Sequence, residues 1–165
     1  MFKLPSPRKP AQFASSLYDQ DSFYAAFQRD LKSCTKELII ESPFVTSRRV
    51  RALLPILDRL RKRGVKIIIN TRSPEEHEGV YRAQATKAVA LFQALGIVVL
   101  YTAGHHRKLA IIDRTITWEG SLNILSQNDS CEIMRRLHSS TLAEELIGFI
   151  KLNIYTGSSY DKSTR

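Results

Sequence analysis

Apolar positions along the chain change their period several times, and each change predicts a new element. Phe23, Phe27 and Leu31 recur every four residues with Tyr24 beside them, the pattern of one buried helix face, and Asp21 stands where a cap is expected. Glu37-Leu38-Ile39-Ile40-Glu41 is a short apolar run stopped by Ser42-Pro43, which predicts a buried strand. Helical spacing returns after Ser47, with Val50, Leu53, Leu54, Leu57 and Leu60 on one side and Gly64 at the end, and Pro55 is expected to kink or split that helix. Residues 65–70 are β-branched and apolar on both parities, as in a central strand covered on both faces. A polar loop through Ser73-Pro74-Glu75-Glu76-His77 leads to a helix over residues 80–95, stopped by Gly96. Strands are predicted over 97–101, 106–112, 115–118 and 132–137, and a last amphipathic helix over 141–154. Helices between early strands, followed by adjacent strands, indicate an α/β layered domain on a mixed sheet.

Flanking this pattern, residues 1–16 and 157–165 lack periodicity and read as tails, leaving one domain over 17–156. A length of 165 residues supports a single core, and 43% apolar and 25% charged residues exclude disorder, collagen and coiled coil as global descriptions. No apolar run approaches the roughly 18 residues of a membrane span, and the proline-broken start lacks a secretory pattern, so a cytoplasmic protein is expected. Cys34 and Cys131 have neither the number nor the spacing of a disulfide framework or zinc site and read as small buried hydrophobes. No phosphate loop or dinucleotide fingerprint is present.

Charge alters this picture. The formal net charge is +9, and residues 46–72 hold nine Lys and Arg against one acid, a local +8 that suits a surface meeting a polyanion. Within it, Arg48, Arg49 and Arg51 are the candidate nucleic-acid contacts. A solvated helix face is the competing reading.

The candidate chemistry lies in His106-Arg107-Lys108-Leu109-Ala110-Ile111-Ile112-Asp113. Alternation along a strand puts His106 and Lys108 on one face while Leu109 and Ile111 pack the other. An imidazole beside a fixed cation suits attack on a phosphodiester: the ring nitrogen bonds to phosphorus while the ammonium offsets charge on the non-bridging oxygens. Asp113, at the strand's end, is placed to orient a charged partner. After six intervening residues Gly120-Ser121-Leu122-Asn123 offers a tight backbone, a hydroxyl and an amide for phosphate oxygens.

His-x-Lys, four residues, Asp, six residues, Gly-Ser-x-Asn resembles the signature of the phospholipase D superfamily, with every position filled across 18 residues. The resemblance extends over the order of elements from about Phe23 to Ile154. It implies a layered α/β/α fold, a metal-independent phosphohistidine mechanism and no cofactor. It also implies an active centre built from two motif copies, so a chain with one copy is half a site and should act as a homodimer. Glu132 resembles the family acid that buttresses the catalytic histidine. The implied catalytic set is His106, Lys108, Asp113, Ser121, Asn123 and Glu132, with one His106 as nucleophile and the other as acid and then base. Residues 118–126 and 42–46 also look like single-motif domains attached to helicase-type DNA proteins, which makes a helicase-type partner or parent chain an expectation.

The implied activity is that of an endonuclease, on DNA in preference to RNA. Phospholipase or phosphatidyl-transfer activity is the enzymatic rival, and a non-catalytic nucleic-acid-binding module the other. Outside the motif, His105 is expected on the opposite face, structural or supporting the site residues from behind, and His77 and His138 are expected to be exposed. Glu75, Glu76 and His77 read as a solvated loop and not a metal site, and Trp118 as core or interface.

Overall fold

The protein is described by a computed structural model covering residues 14–126 and 130–152. The chain runs β1 (Ala14–Asp19), α1 (Phe23–Ser33), β2 (Glu37–Glu41), α2 (Ser47–Lys62), β3 (Lys66–Thr71), a 3-10 turn (Pro74–Glu76), α3 (Gly79–Ala94), β4 (Val98–Tyr101), β5 (Leu109–Ile112), β6 (Ile116–Gly120), β7 (Ile133–His138) and α4 (Ser140–Ile150). Seven strands form one mixed sheet in the order β1-β7-β6-β5-β2-β3-β4. β2, β3 and β4 are parallel, joined by the helical crossovers α2 and α3, while β5, β6, β7 and β1 pair antiparallel.

Strand alternation divides the apolar residues into two cores. Leu38, Ile40, Ile67, Ile69, Ala110 and Ile112 meet α1, α2 and α3 on one face; Ile39, Ile68, Leu109 and Ile111 meet α4 on the other. The larger core is built on Phe23, Phe27 and Trp118, stacked or edge-on within 5.1–6.1 Å of one another. Trp118 is fully buried and its indole N–H donates to Asp30, which also pairs with Arg136.

Several local expectations are corrected. Strand β1 starts at Ala14, inside the stretch read as a tail, and pairs along its whole length with β7; residues 1–13 and 153–165 lie outside the described residues. Asp21 does not cap α1: the N-cap is Ser22, and Asp19 Oδ1 accepts from the amides of Asp21 and Ser22 and from the Ser22 hydroxyl. α2 runs unbroken through Pro55, whose exposed position costs it one i→i−4 bond while Leu53, Ile56, Leu57 and Leu60 hold the helix to the core. α4 ends at Ile150, where Lys151 adopts a left-handed φ of 58°. Cys34 is buried as expected, but Cys131 is exposed.

The sheet also fixes which edge carries loops. Because β5 runs antiparallel to β2, with Glu41 opposite Leu109, the start of β5 meets the carboxyl ends of β2 and β3. The end of β6 and the start of β7 reach the same edge, with Gly120 opposite Met134.

Candidate active site

His106 and Lys108 lie in the extended approach to β5, just short of the ladder. Lys108 Nζ sits 3.0 Å from His106 Nδ1 and donates to the His106 carbonyl at 2.9 Å. Burial and the Arg72 cation push the Lys108 ammonium below its ordinary 10.5, and the Glu132 carboxylate between those two effects opposes them. Arg107, of opposite parity, turns away and pairs with Glu41, a carboxylate with no exposed surface that also accepts from Asn70 Nδ2 at 2.8 Å. The His-x-Lys segment is thereby anchored from behind by a half-buried ion pair that sequence reasoning missed. A charge at the end of an apolar strand was its one signal.

Opposite, Gly120 ends β6 where a Cβ would lie 2.0 Å from the Ile133 carbonyl oxygen, so close approach of β7, and not a positive φ, requires glycine. That approach lets the Ser121 amide donate to Ile133 O at 2.9 Å and the Ser121 hydroxyl accept from Ile133 N at 3.1 Å. The same hydroxyl donates to Glu132, whose other oxygen accepts from Ser130 at 2.6 Å. These hydroxyls hold the Glu132 carboxyl below its ordinary 4.5. Both carboxylate oxygens are therefore bonded to serines, and the expected bond to His106 is not among the hydrogen bonds of the described residues.

Leu122, Ile124 and Leu125 plunge into the core and pin the turn that carries Asn123. The Tyr24 hydroxyl donates to the Ile124 carbonyl at 3.2 Å, and Arg49 lies 3.4 Å over the Tyr24 ring. Arg49 is therefore half-buried support for the turn, while Arg48 is exposed and Arg51, bonded to the Ser47 carbonyl, faces the groove between α2 and α3. Asn123 Oδ1 is buried with no hydrogen-bond partner among the described residues.

Residues 27–151 match the family described as cardiolipin synthase, PLD-like domain. The chain belongs to this phospholipase D-like family. Its fold is shared with Nuc from Salmonella typhimurium, a phospholipase D family member, at 17% identity and TM-score 0.69 over 92% of this chain and 100% of that one. NucT from Helicobacter pylori is similar at 18% identity and TM-score 0.67, over 88% and 98% of the two chains. TrmBL2, an archaeal chromatin protein with a novel mode of DNA binding, shares the fold at 12% identity and TM-score 0.60, over 90% of this chain and 54% of that one. No curated protein matches the sequence.

Within the phospholipase D-like domain not every motif residue joins the cluster. His106, Lys108, Ser121, Asn123 and Glu132 share one sheet edge. Asp113 does not, because β5 separates it from Lys108 by about 16 Å at the rise of an extended strand. At the opposite edge its carboxylate accepts from the amides of Thr35, Lys36 and Glu37 at 2.8–3.0 Å and from the Thr35 hydroxyl. Burial works against its ionised form, but these donors outweigh it and hold Asp113 below its ordinary 3.8. Asp113 clamps the start of β2 and lies apart from the cluster of His106, Lys108, Ser121, Asn123 and Glu132.

The basic segment is divided in the same way. α2 is 16 residues long, about 24 Å, with Arg48 at the site end and Arg59 to Arg63 at the other. There Arg61 donates to the Leu95 and Val65 carbonyls and Arg63 to those of Lys32 and Cys34. Arg72, counted with the charge but not singled out, follows β3 onto the site edge, where its Nε donates to the His105 carbonyl at 2.8 Å. His105 is buried, His138 is exposed as expected, and His77 is not exposed: at only 6% exposure, it packs 5.3 Å from the Phe44 ring. Among the described residues no helix is long and apolar enough to cross a membrane, and none of the His, Cys, Asp and Glu residues form a group of metal-ligand type.

Proposed function

We propose that the chain is one half of a metal-independent phosphodiesterase that cleaves nucleic acid, DNA in preference to RNA, as a homodimer. The observation that carries this reading is the convergence of an imidazole, an ammonium, a hydroxyl, an amide and a carboxylate on one sheet edge. In the resting arrangement the ammonium rests against His106 Nδ1. An incoming phosphate draws Lys108 onto its non-bridging oxygens, with Ser121 and Asn123 beside it, and leaves the imidazole to attack. A nitrogen–phosphorus bond forms, the bond to the leaving oxygen breaks, and that oxygen takes a proton from His106 of the partner subunit. Water then attacks phosphorus, gives its proton to the same partner imidazole and releases His106. A lone site has no second imidazole for this exchange, which is why the reading requires two copies.

The substrate assignment is supported by Arg48 and Arg51 near the site end of α2 and by the fold shared with a DNA-binding chromatin protein. The matched family's description, which names a lipid synthase, favours phosphatidyl transfer as the second reading. Reversing Arg48 and Arg51 to Glu separates them, leaving out Arg49, which packs on Tyr24. Backbone contacts release counterions, each adding roughly 0.7–0.9 to the slope of log K against log salt. The double variant is expected to bind a labelled DNA strand at least tenfold more weakly at low salt, with a slope flatter by about 1–2. Unchanged affinity and slope, together with binding to anionic vesicles, would move the assignment to lipid.

A further inference from the structure

Beside the motif cluster opens a cavity of about 410 Å³, lined by Phe44, Arg72, Glu76, His77, Glu78, Tyr81, Asn123 and Ser126. It shares Asn123 with the Gly-Ser-x-Asn turn and Arg72 with the electrostatic surroundings of Lys108, so whatever fills it lies next to the scissile phosphate. Its walls combine three features. The Phe44 ring is flanked by the Arg72 guanidinium at 5.2 Å and the His77 ring at 5.3 Å, and Tyr81 is 52% exposed. Two buried polar atoms, His77 Nε2 and Asn123 Oδ1, have no partner among the described residues. Burial first, and then the Arg72 cation, keep the His77 imidazole below its ordinary 6.5, so at neutral pH it offers one donor and one acceptor.

We propose that this cavity seats one unpaired nucleobase flanking the scissile phosphate, so that the substrate is single-stranded nucleic acid. The proposal rests on the nuclease reading and narrows it. A flat heteroaromatic ring matches aromatic walls backed by a cation, and its polar edge supplies partners for the two unspent atoms. The volume falls in the range of pockets for one small molecule, and a base can enter only when it is out of the stack, because a duplex presents base edges alone. An acyl chain would leave Arg72, His77 and Asn123 buried against hydrocarbon, which disfavours lipid here.

The test uses end-labelled single strands carrying one abasic position, moved stepwise along the sequence, together with the Tyr81→Ala protein and a duplex of the same sequence. Removing one base is expected to slow cleavage at one fixed neighbouring linkage roughly tenfold, the loss of one base–aromatic stack. Tyr81→Ala is expected to slow cleavage of the intact strand by a similar factor and to become indifferent to the abasic position. The duplex should be cut at least ten times more slowly than the strand. Even cleavage past every abasic position by the unaltered protein, or a duplex cut as fast as the strand, overturns the subsite alone. No cleavage of any strand overturns the nuclease reading and the subsite with it.

Discussion

His106→Asn is expected to reduce phosphodiester cleavage by roughly 1,000-fold or more, to the background left by binding alone, since removing a covalent nucleophile has effects of that order. Asparagine occupies similar space and keeps a polar side chain beside Lys108, so the protein should remain folded, with an unchanged melting temperature. Lys108→Met removes the charge that meets the phosphate and should cost about 100- to 1,000-fold, the effect of losing one preorganised donor. Because an imidazole supplies the nucleophile and an ammonium the charge, the native rate is expected to persist in chelator. The check is hydrolysis of a small activated diester, such as bis(p-nitrophenyl) phosphate, with and without EDTA. Full activity in His106→Asn, or a requirement for added divalent metal, would exclude the mechanism.

The second large effect is on stability. Asp113→Ala removes a carboxylate that accepts from three consecutive backbone amides and places alanine at a left-handed φ of 49°. Together these should cost about 3 kcal/mol, from lost charge-assisted bonds and the left-handed backbone. The sign of the pH dependence follows from the depressed pKa. The folded protein holds the Asp113 proton less tightly than the unfolded chain, so the stabilisation is complete above the ordinary 3.8 and is lost as pH falls below it. Native and variant denaturation midpoints should therefore differ most near neutral pH and draw closer as the pH falls below 3.8, leaving the part due to the left-handed backbone. Catalysis by the folded variant should persist, since the clamp lies at the edge away from His106. A variant as stable as the native protein at pH 7, or one that folds normally but does not turn over, would contradict this division of roles.

Much of the fold was legible because burial on both sheet faces leaves a plain record. Ile67-Ile68-Ile69 and Leu109–Ile112 supply side chains to both cores in alternation, and only a sheet covered on both sides accepts such runs. The motif was legible because its spacing is local to β5 and β6, which pair directly. What was missed is not local. β1 is a half-polar edge strand whose order comes from β7, more than a hundred residues away, so Ser15 and Ser16 carry no alternation to read. Asp113 belongs to the same motif as His106, yet the intervening strand sets the two at opposite edges. The +8 count likewise merges the two ends of a helix, since Arg61 and Arg63 hold carbonyls at the end away from the site. His77 and Phe44 come from different loops, and neither stretch announces a shared cavity.

The central claim is a covalent bond between His106 and phosphorus, and the direct measurement is to trap it. Protein mixed with a strand carrying a 5′ phosphate-labelled cleavage site should be quenched in alkaline denaturant within the first turnovers, digested and weighed by mass spectrometry. The account predicts the nucleotide fragment attached through phosphorus to the peptide containing His106, in at most half of the subunits, and its absence in His106→Asn. A strand cleaved at the full rate with no adduct on that peptide at any quench time, or an adduct on another residue, would contradict it.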